Sequence, residues 1–178
     1  DRLAVGFGTT KNKRYQDFNW KAALLRQTRS NRIPFSVTYY GNFALDARQK
    51  NQGLFKETSD RYSFFNQIII ARRFSPKLSL QIAPSVSHYN LVDPTMENDM
   101  VALSFGGRFK ISPQTSILVD YSQPLTQFDD NQPKPGVSIG AEFATSAHAF
   151  QIFLTNYNGL VSQKNYMYNQ NDFFNGDF

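Results

Sequence analysis

The chain has 178 residues, 40% hydrophobic and 15% aromatic, with a formal net charge of +5 and no cysteine. That length suits one domain, and the missing cysteines exclude disulfides, thiolate metal sites and a cysteine nucleophile. No apolar run exceeds four residues, which excludes a membrane-spanning helix, while 17 Phe and 9 Tyr lie diluted among Ser, Asn, Gln and Gly.

Period-two alternation recurs along the chain and predicts strands. The first covers residues 2–8, with Leu3, Val5 and Phe7 on one face, and the second carries Phe18, Trp20, Ala22 and Leu24. A long third runs from Ile33 through Phe35, Val37, Tyr39, Gly41 and Phe43 to Leu45, opposite Ser36, Thr38, Asn42 and Asp46. Residues 62–74 form a fourth whose faces stay ambiguous, because Ile68, Ile69 and Ile70 fill both. The fifth carries Leu78, Leu80, Ile82, Pro84 and Val86, and the sixth Val101, Leu103, Phe105, Gly107, Phe109 and Ile111. Shorter alternations place a seventh around Ile117, Val119 and Tyr121, an eighth around Val137, Ile139 and Phe143, and a ninth over residues 148–156. Many of these reach membrane-spanning length, roughly 9–11 residues, rather than the roughly 5–6 of ordinary strands.

The connections alternate in length. Tight links with turn chemistry fall at 29–32, 75–77, 112–114 and 146–147, and longer polar segments at 9–14, 47–60, 91–97 and 124–135. A soluble sandwich has no reason to keep that order, whereas a transmembrane barrel has short periplasmic turns and longer external loops. The expected fold is therefore all-β: an antiparallel transmembrane up-and-down β-barrel with nine strands visible, residues 1–178 forming one barrel domain. Nine is odd, and both ends of such barrels normally lie in the periplasm. A mature or partial chain is expected, with residues 157–178 beginning an external loop or, alternatively, forming a closing strand.

If the apolar face meets lipid, the other lines the lumen. Asp17, Lys21, Arg108, Asp120 and Glu142 are then lumen-facing, and Lys21 or Arg108 can pair with Asp120 or Glu142. Tyr40 and Phe153 would narrow that lumen. Tyr15, Tyr39, Tyr62, Tyr89, Tyr121 and Tyr157 are expected near outer strand ends, and Phe74, Phe109 and Phe150 near the opposite ends, as an aromatic girdle. The basic charge gathers beside the short turns: Arg26, Arg29 and Arg32 at the first, Arg72, Arg73 and Lys77 at the second, Arg108 and Lys110 at the third, with no carboxylate expected among those ends. This periplasmic basic rim fits anionic headgroups or an acidic partner better than nucleic acid, which needs a groove or stacking platform.

The sequence also resembles an outer-membrane β-barrel family of the Bacteroidota catalogued as a domain of unknown function. The matching pieces are Asp1-Arg2-Leu3-Ala4-Val5-Gly6-Phe7-Gly8, Leu24-Leu25-Arg26-Gln27, Ile33-Pro34-Phe35-Ser36-Val37-Thr38, Ile70-Ala71-Arg72-Arg73-Phe74, Phe105-Gly106-Gly107-Arg108-Phe109-Lys110, and His148-Ala149-Phe150-Gln151 through Thr155-Asn156, in the same order. The resemblance implies about two further strands before residue 1 and one after residue 178, an even barrel of about twelve. It implies no catalytic residue and no cofactor.

Catalytic and metal chemistry find little support in the residues. Ser87 and His88 are adjacent in a strand and point to opposite faces, so they do not form a nucleophile–base pair. Asp93, Glu97 and Asp99 lack the spacing and glycine of a calcium loop, and Gly6-Phe7-Gly8 and Gly106-Gly107 precede no helix that would make them phosphate cradles. Three functions follow as expectations. The first is a structural or interaction subunit of the outer membrane, in contact with lipid and other envelope proteins. The others are a narrow pore for small polar solutes and a soluble lipid-binding barrel.

Overall fold

A computed structural model describes residues 2–11, 14–49 and 55–178. Asp1 and parts of the long connections 9–14 and 47–60 lie outside them. The strands are β1 (Leu3–Thr9), β2 (Tyr15–Leu25), β3 (Ser36–Asp46), β4 (Tyr62–Arg73), β5 (Leu78–Tyr89), β6 (Asp99–Lys110), β7 (Thr115–Pro124), β8 (Gly136–Ala144) and β9 (Ala149–Thr155). Each pairs antiparallel with its chain neighbours in one nine-stranded sheet ordered β1 to β9. Six of the nine have ten to twelve residues. The sheet is not closed, since β1 and β9 are its edges. The register brings Gln27, Phe74, Ile111 and Thr145 to the short-turn end, and all long connections to the other.

The two faces are opposite in chemistry. Leu80, Ile82, Val86, Val101, Phe105, Phe109, Ile117, Val119 and Ile139 lie on one, each exposed by more than a third. No charge falls in the middle of that face; Arg72 sits beside the short-turn end and Asp99 beside the long-loop end. Its central polar group, Asn66 on β4, accepts a 2.6 Å hydrogen bond from the Tyr39 hydroxyl on β3. The other face holds Asn42, Ala44, Ser63, Phe65, Ala83, Ser85, Ser87, Met100, Ala102, Ser104 and Ser122, all buried. The apolar face of this wall thus points outward and the polar face inward.

Several expectations need correction. The third strand begins at Ser36, not Ile33, because residues 28–33 form a turn with Asn31 at φ 58° and Pro34 has no N–H for a ladder. The ambiguous fourth strand resolves with Phe65 inward and Ile68 and Ile70 outward, since Phe65 has an interior partner. Of the proposed tyrosine girdle, Tyr62 and Tyr121 lie near the long-loop end on the outward face, but Tyr15 and Tyr89 are buried and Tyr39 lies nearer the short-turn end of β3. Phe74, Phe109 and Phe150 are exposed near the short-turn ends as expected. The polar 157–178 segment is neither a simple loop nor a closing strand. It folds back over the inner face through a helix, α1 (Ser162–Tyr168), and ends in a 3-10 turn, Phe173–Asn175.

Candidate functional site

Helix α1 has only seven residues and no side-chain cap, too short to persist alone. Its stability comes from what it touches. Gln163, Tyr166 and Met167 recur at i, i+3 and i+4, so they share one side, and all three are buried. The helix lies across β4, β5, β6 and β7. Gln163 Nε2 donates to Asn42 Oδ1 at 3.0 Å and Ser63 Oγ at 3.1 Å. The Tyr166 hydroxyl lies 2.7 Å from Ser104 Oγ and 3.3 Å from Ser122 Oγ, and its ring centroid is 5.1 Å from that of Phe65. Met96 and Phe128, from two long connections, complete the apolar cluster with Phe65, Met100, Tyr166 and Met167.

The rest of the segment is tied down by backbone and amide groups. Asn156, fully buried, accepts from the Val137 N–H and donates to the carbonyls of Pro135 and Asn171. Lys134 N–H donates to the Asn169 carbonyl at 2.8 Å, and Asn169 Nδ2 returns a bond to the Lys134 carbonyl. Gly136 is required here, because a Cβ at that position would overlap the Tyr157 ring. Tyr168 packs edge-on against Tyr89 at 5.3 Å. Burial pushes the Tyr168 phenol up to about 12 and raises that of Tyr157 further, so both stay neutral donors at any physiological pH. The long-loop half of the interior is therefore a packed plug.

The short-turn half differs. A cavity of about 380 Å³ opens on the inner face, lined among others by Gln81, Arg108, Asp120, Glu142, Gln151 and Phe153. Arg108 donates to Glu142 Oε1 from Nη2 at 2.6 Å and from Nε at 3.1 Å, and Gln151 donates to Glu142 Oε2 at 2.8 Å. Asp120 accepts from Ser122 Oγ at 3.4 Å. Asp17, on β2, accepts from Asn19 and Asn42, both at 3.3 Å. Lys21 lies on the same face, exposed, and makes no ion pair among the described residues. All five sequence-derived residues thus share the inner face, but only Arg108 and Glu142 meet.

The basic residues do collect at one end. Arg26, Arg29, Arg32, Arg72, Arg73, Lys77 and Lys110 flank the short turns, but the structure sorts them. Arg29, Arg32, Arg72 and Lys77 are exposed. Arg73 is held in its own turn, its guanidinium donating to the carbonyls of Ser75 and Pro76 while its backbone exchanges bonds with the Gln27 amide. Lys110 is half-buried on the inner-face side. Glu142, two residues from the end of β8, is a carboxylate at an end expected to have none, and Arg108 neutralises it.

The plug residues Gln163, Tyr166 and Met167 were missed by sequence reasoning. Their i, i+3, i+4 spacing was a signal, obscured by the polar residues around them. Ser87 and His88 stay apart as expected: His88 faces outward, bonded to Asp99 at 2.8 Å and Asn90 at 3.0 Å, while Ser87 is buried on the opposite face. Among the described residues no group of three His, Asp or Glu is placed to hold a metal ion.

Comparison with known proteins agrees with this wall. Over residues 1–178 the chain matches the family described as "Membrane bound beta barrel domain (DUF5777)", whose function is unknown. No curated protein and no solved structure matches it. With its strands in up-and-down order and its apolar face turned outward, the chain belongs to this family of membrane-bound β-barrel domains.

Proposed function

We propose that the protein is an integral outer-membrane barrel acting as a structural or interaction subunit of the cell envelope, without catalysis. The observation that carries this reading is the plug. Gln163, Tyr166, Met167, Met96 and Phe128 fill the long-loop half of the interior, so solute has no straight path along the strands. The outward face argues for lipid contact: each large side chain moved from water to an apolar phase gains about 1.5–3 kcal/mol. A soluble lipid-binding barrel would bury that face instead. The reading places the short turns in the periplasm.

Unpaired strand edges cost several kcal/mol for each orphaned backbone group in hydrocarbon. In a bilayer the open edges of β1 and β9 therefore have to be paired. A second reading, a conduit for small polar solutes, draws on the cavity beside Asp120 and Glu142 and requires the plug to move. Planar-bilayer recording on the purified full-length protein separates the two. The subunit reading predicts no unitary conductance, together with recurrent co-purification of the same envelope proteins from detergent extracts. Stable current steps, or repeated isolation of the protein alone, count against it.

A further inference from the structure

Charge is strongly polarised along the strands. At the short-turn end Arg2, Arg26, Arg29, Arg32, Arg72, Arg73, Lys77, Arg108 and Lys110 meet Glu142 as the sole carboxylate among the described residues. Glu142 is neutralised by Arg108, and Arg73 is engaged within its turn. Arg29, Arg32, Arg72 and Lys77 face solvent at or beside the first two turns, and Arg2 and Arg26 are exposed as well.

Local structure fixes where these groups point. In the first turn Asn31, in the left-handed region at φ 58°, donates its N–H to the Thr28 carbonyl; the Thr28 N–H donates to the Ile33 carbonyl, and the Ile33 N–H returns a bond to Thr28 Oγ1. That knot holds Arg29 and Arg32 in one turn at the rim, both exposed. In the second turn Ser75 Oγ accepts from the N–H groups of Lys77 and Leu78, leaving the Lys77 side chain free of the turn. Arg72 is on the outward face, its guanidinium 5.0 Å from the centroid of the Phe74 ring. Phe74 is 56% exposed and Phe109 and Phe150 are about as open. An apolar band, an aromatic ring at its border and unpaired cations just beyond are the three layers that meet acyl chain, glycerol region and headgroup in turn.

From this stacking we infer that the short-turn rim is a collar for anionic phospholipid headgroups, with Arg29, Arg32, Arg72 and Lys77 as the phosphate-binding groups. The inference rests on the membrane reading of the outward face. Arginine suits the role because its planar fork binds two phosphate oxygens at once, while lysine supplies a point charge. Lipid is the occupant that matches the order of these layers, because the cations and aromatics border a continuous apolar band that itself needs acyl chains against it.

The test is retention of lipid by the full-length detergent-purified protein, read by native mass spectrometry with added phosphatidylglycerol or phosphatidylcholine. The collar predicts preferential retention of phosphatidylglycerol, weakened by salt. The preference should fall roughly fivefold for each cation neutralised, along the series Lys77→Gln, then Arg72→Gln, then Arg29→Gln with Arg32→Gln. Lys11→Gln with Lys56→Gln, at the opposite end, should leave the preference unchanged. Equal retention of the two lipids by the unaltered protein, or a preference indifferent to the rim substitutions, overturns the collar. Flotation with vesicles of phosphatidylcholine alone or with phosphatidylglycerol is the separate arm: a protein that floats with neither refutes the membrane reading itself. One that floats without anionic preference refutes only the collar. Far-UV circular dichroism confirms that each variant keeps its strands.

Discussion

The two halves of the barrel interior share one wall but are filled by different means. In the long-loop half the inward Tyr15, Phe65, Tyr89 and Met100 stand among small residues: Ala44, Ser63, Ser85, Ser87, Ala102, Ser104 and Ser122. They leave room for a second layer, and α1 occupies it. The short-turn half also has small inward positions, Ala71, Ser79 and Ser116, and beside them the longer Lys21, Gln81, Arg108, Asp120, Glu142 and Gln151. These extend into the interior themselves, and Arg108, Glu142 and Gln151 bond laterally rather than to a plug. What separates the halves is the second layer: α1 lies over the long-loop half, while charged side chains border the cavity of the short-turn half.

The sharpest way to break this comparison uses two inward phenylalanines. Phe65 is 2% exposed against the plug, whereas Phe153 is 48% exposed beside the cavity. Phe65→Ala is expected to cost about 3–5 kcal/mol and Phe153→Ala no more than about 1 kcal/mol, measured by urea unfolding in lipid vesicles. Similar losses at both sites would mean that the halves are packed alike. Gln163→Leu comes next, since it leaves Asn42 and Ser63 without their amide donor. About 1–3 kcal/mol is expected, seen first as faster proteolysis within residues 157–178 while the strands stay protected. Protection of that segment unchanged by the substitution would show that the amide does not anchor the plug.

A smaller effect is expected at the ion pair. The Arg108 side chain is 39% exposed and that of Glu142 15%, so solvent screens the pair, and Glu142→Gln should cost under about 1 kcal/mol, less in high salt. A loss above that, unmoved by salt, would place the pair in a drier interior than the open half implies. The smallest effect concerns Asp60, in the long connection before β4. The N–H groups of Glu57 and Lys56 donate to its carboxylate at 2.9 and 2.8 Å, and these bonds hold its pKa below the ordinary 3.8. A depressed carboxylate stabilises its loop above the unfolded value and loses that contribution as the pH falls through the folded one. The amide protection factors of Lys56 and Glu57, with the intrinsic pH dependence of exchange divided out, should fall on acidification below about pH 4, and Asp60→Asn should remove the pH step. A step that survives the substitution belongs to another group.

Much of the wall was legible because alternation is a local property. All nine strands, the short and long connections and the direction of each clean face follow from residues two apart. Other features depended on contacts that no local pattern records. The orientation of β4 was hidden because Ile68, Ile69 and Ile70 satisfy either face, and its register against β3 and β5, with Phe65 on Tyr166, decides it. Tyr15 and Tyr89 read as girdle residues by chain position, yet they lie inward, where neighbouring segments bury them. The Arg108–Glu142 pair was foreseeable from parity, but so was a pairing of Lys21, and choosing between them required the positions of β6 and β8. The plug was concealed because its anchors are mostly amides and hydroxyls, which look like loop composition until their bonds are known.

The central claim is that the apolar face of these strands meets lipid while the polar face encloses the plug and the cavity. Because the native chain has no cysteine, single spin labels are placed without background. Ile117→Cys, Leu118→Cys, Val119→Cys and Asp120→Cys walk along β7 across both faces. Reconstituted in vesicles, the labels at 117 and 119 should be accessible to oxygen and shielded from a water-soluble nickel relaxant, and those at 118 and 120 the reverse. Alternation in the opposite sense, or none, would contradict the account.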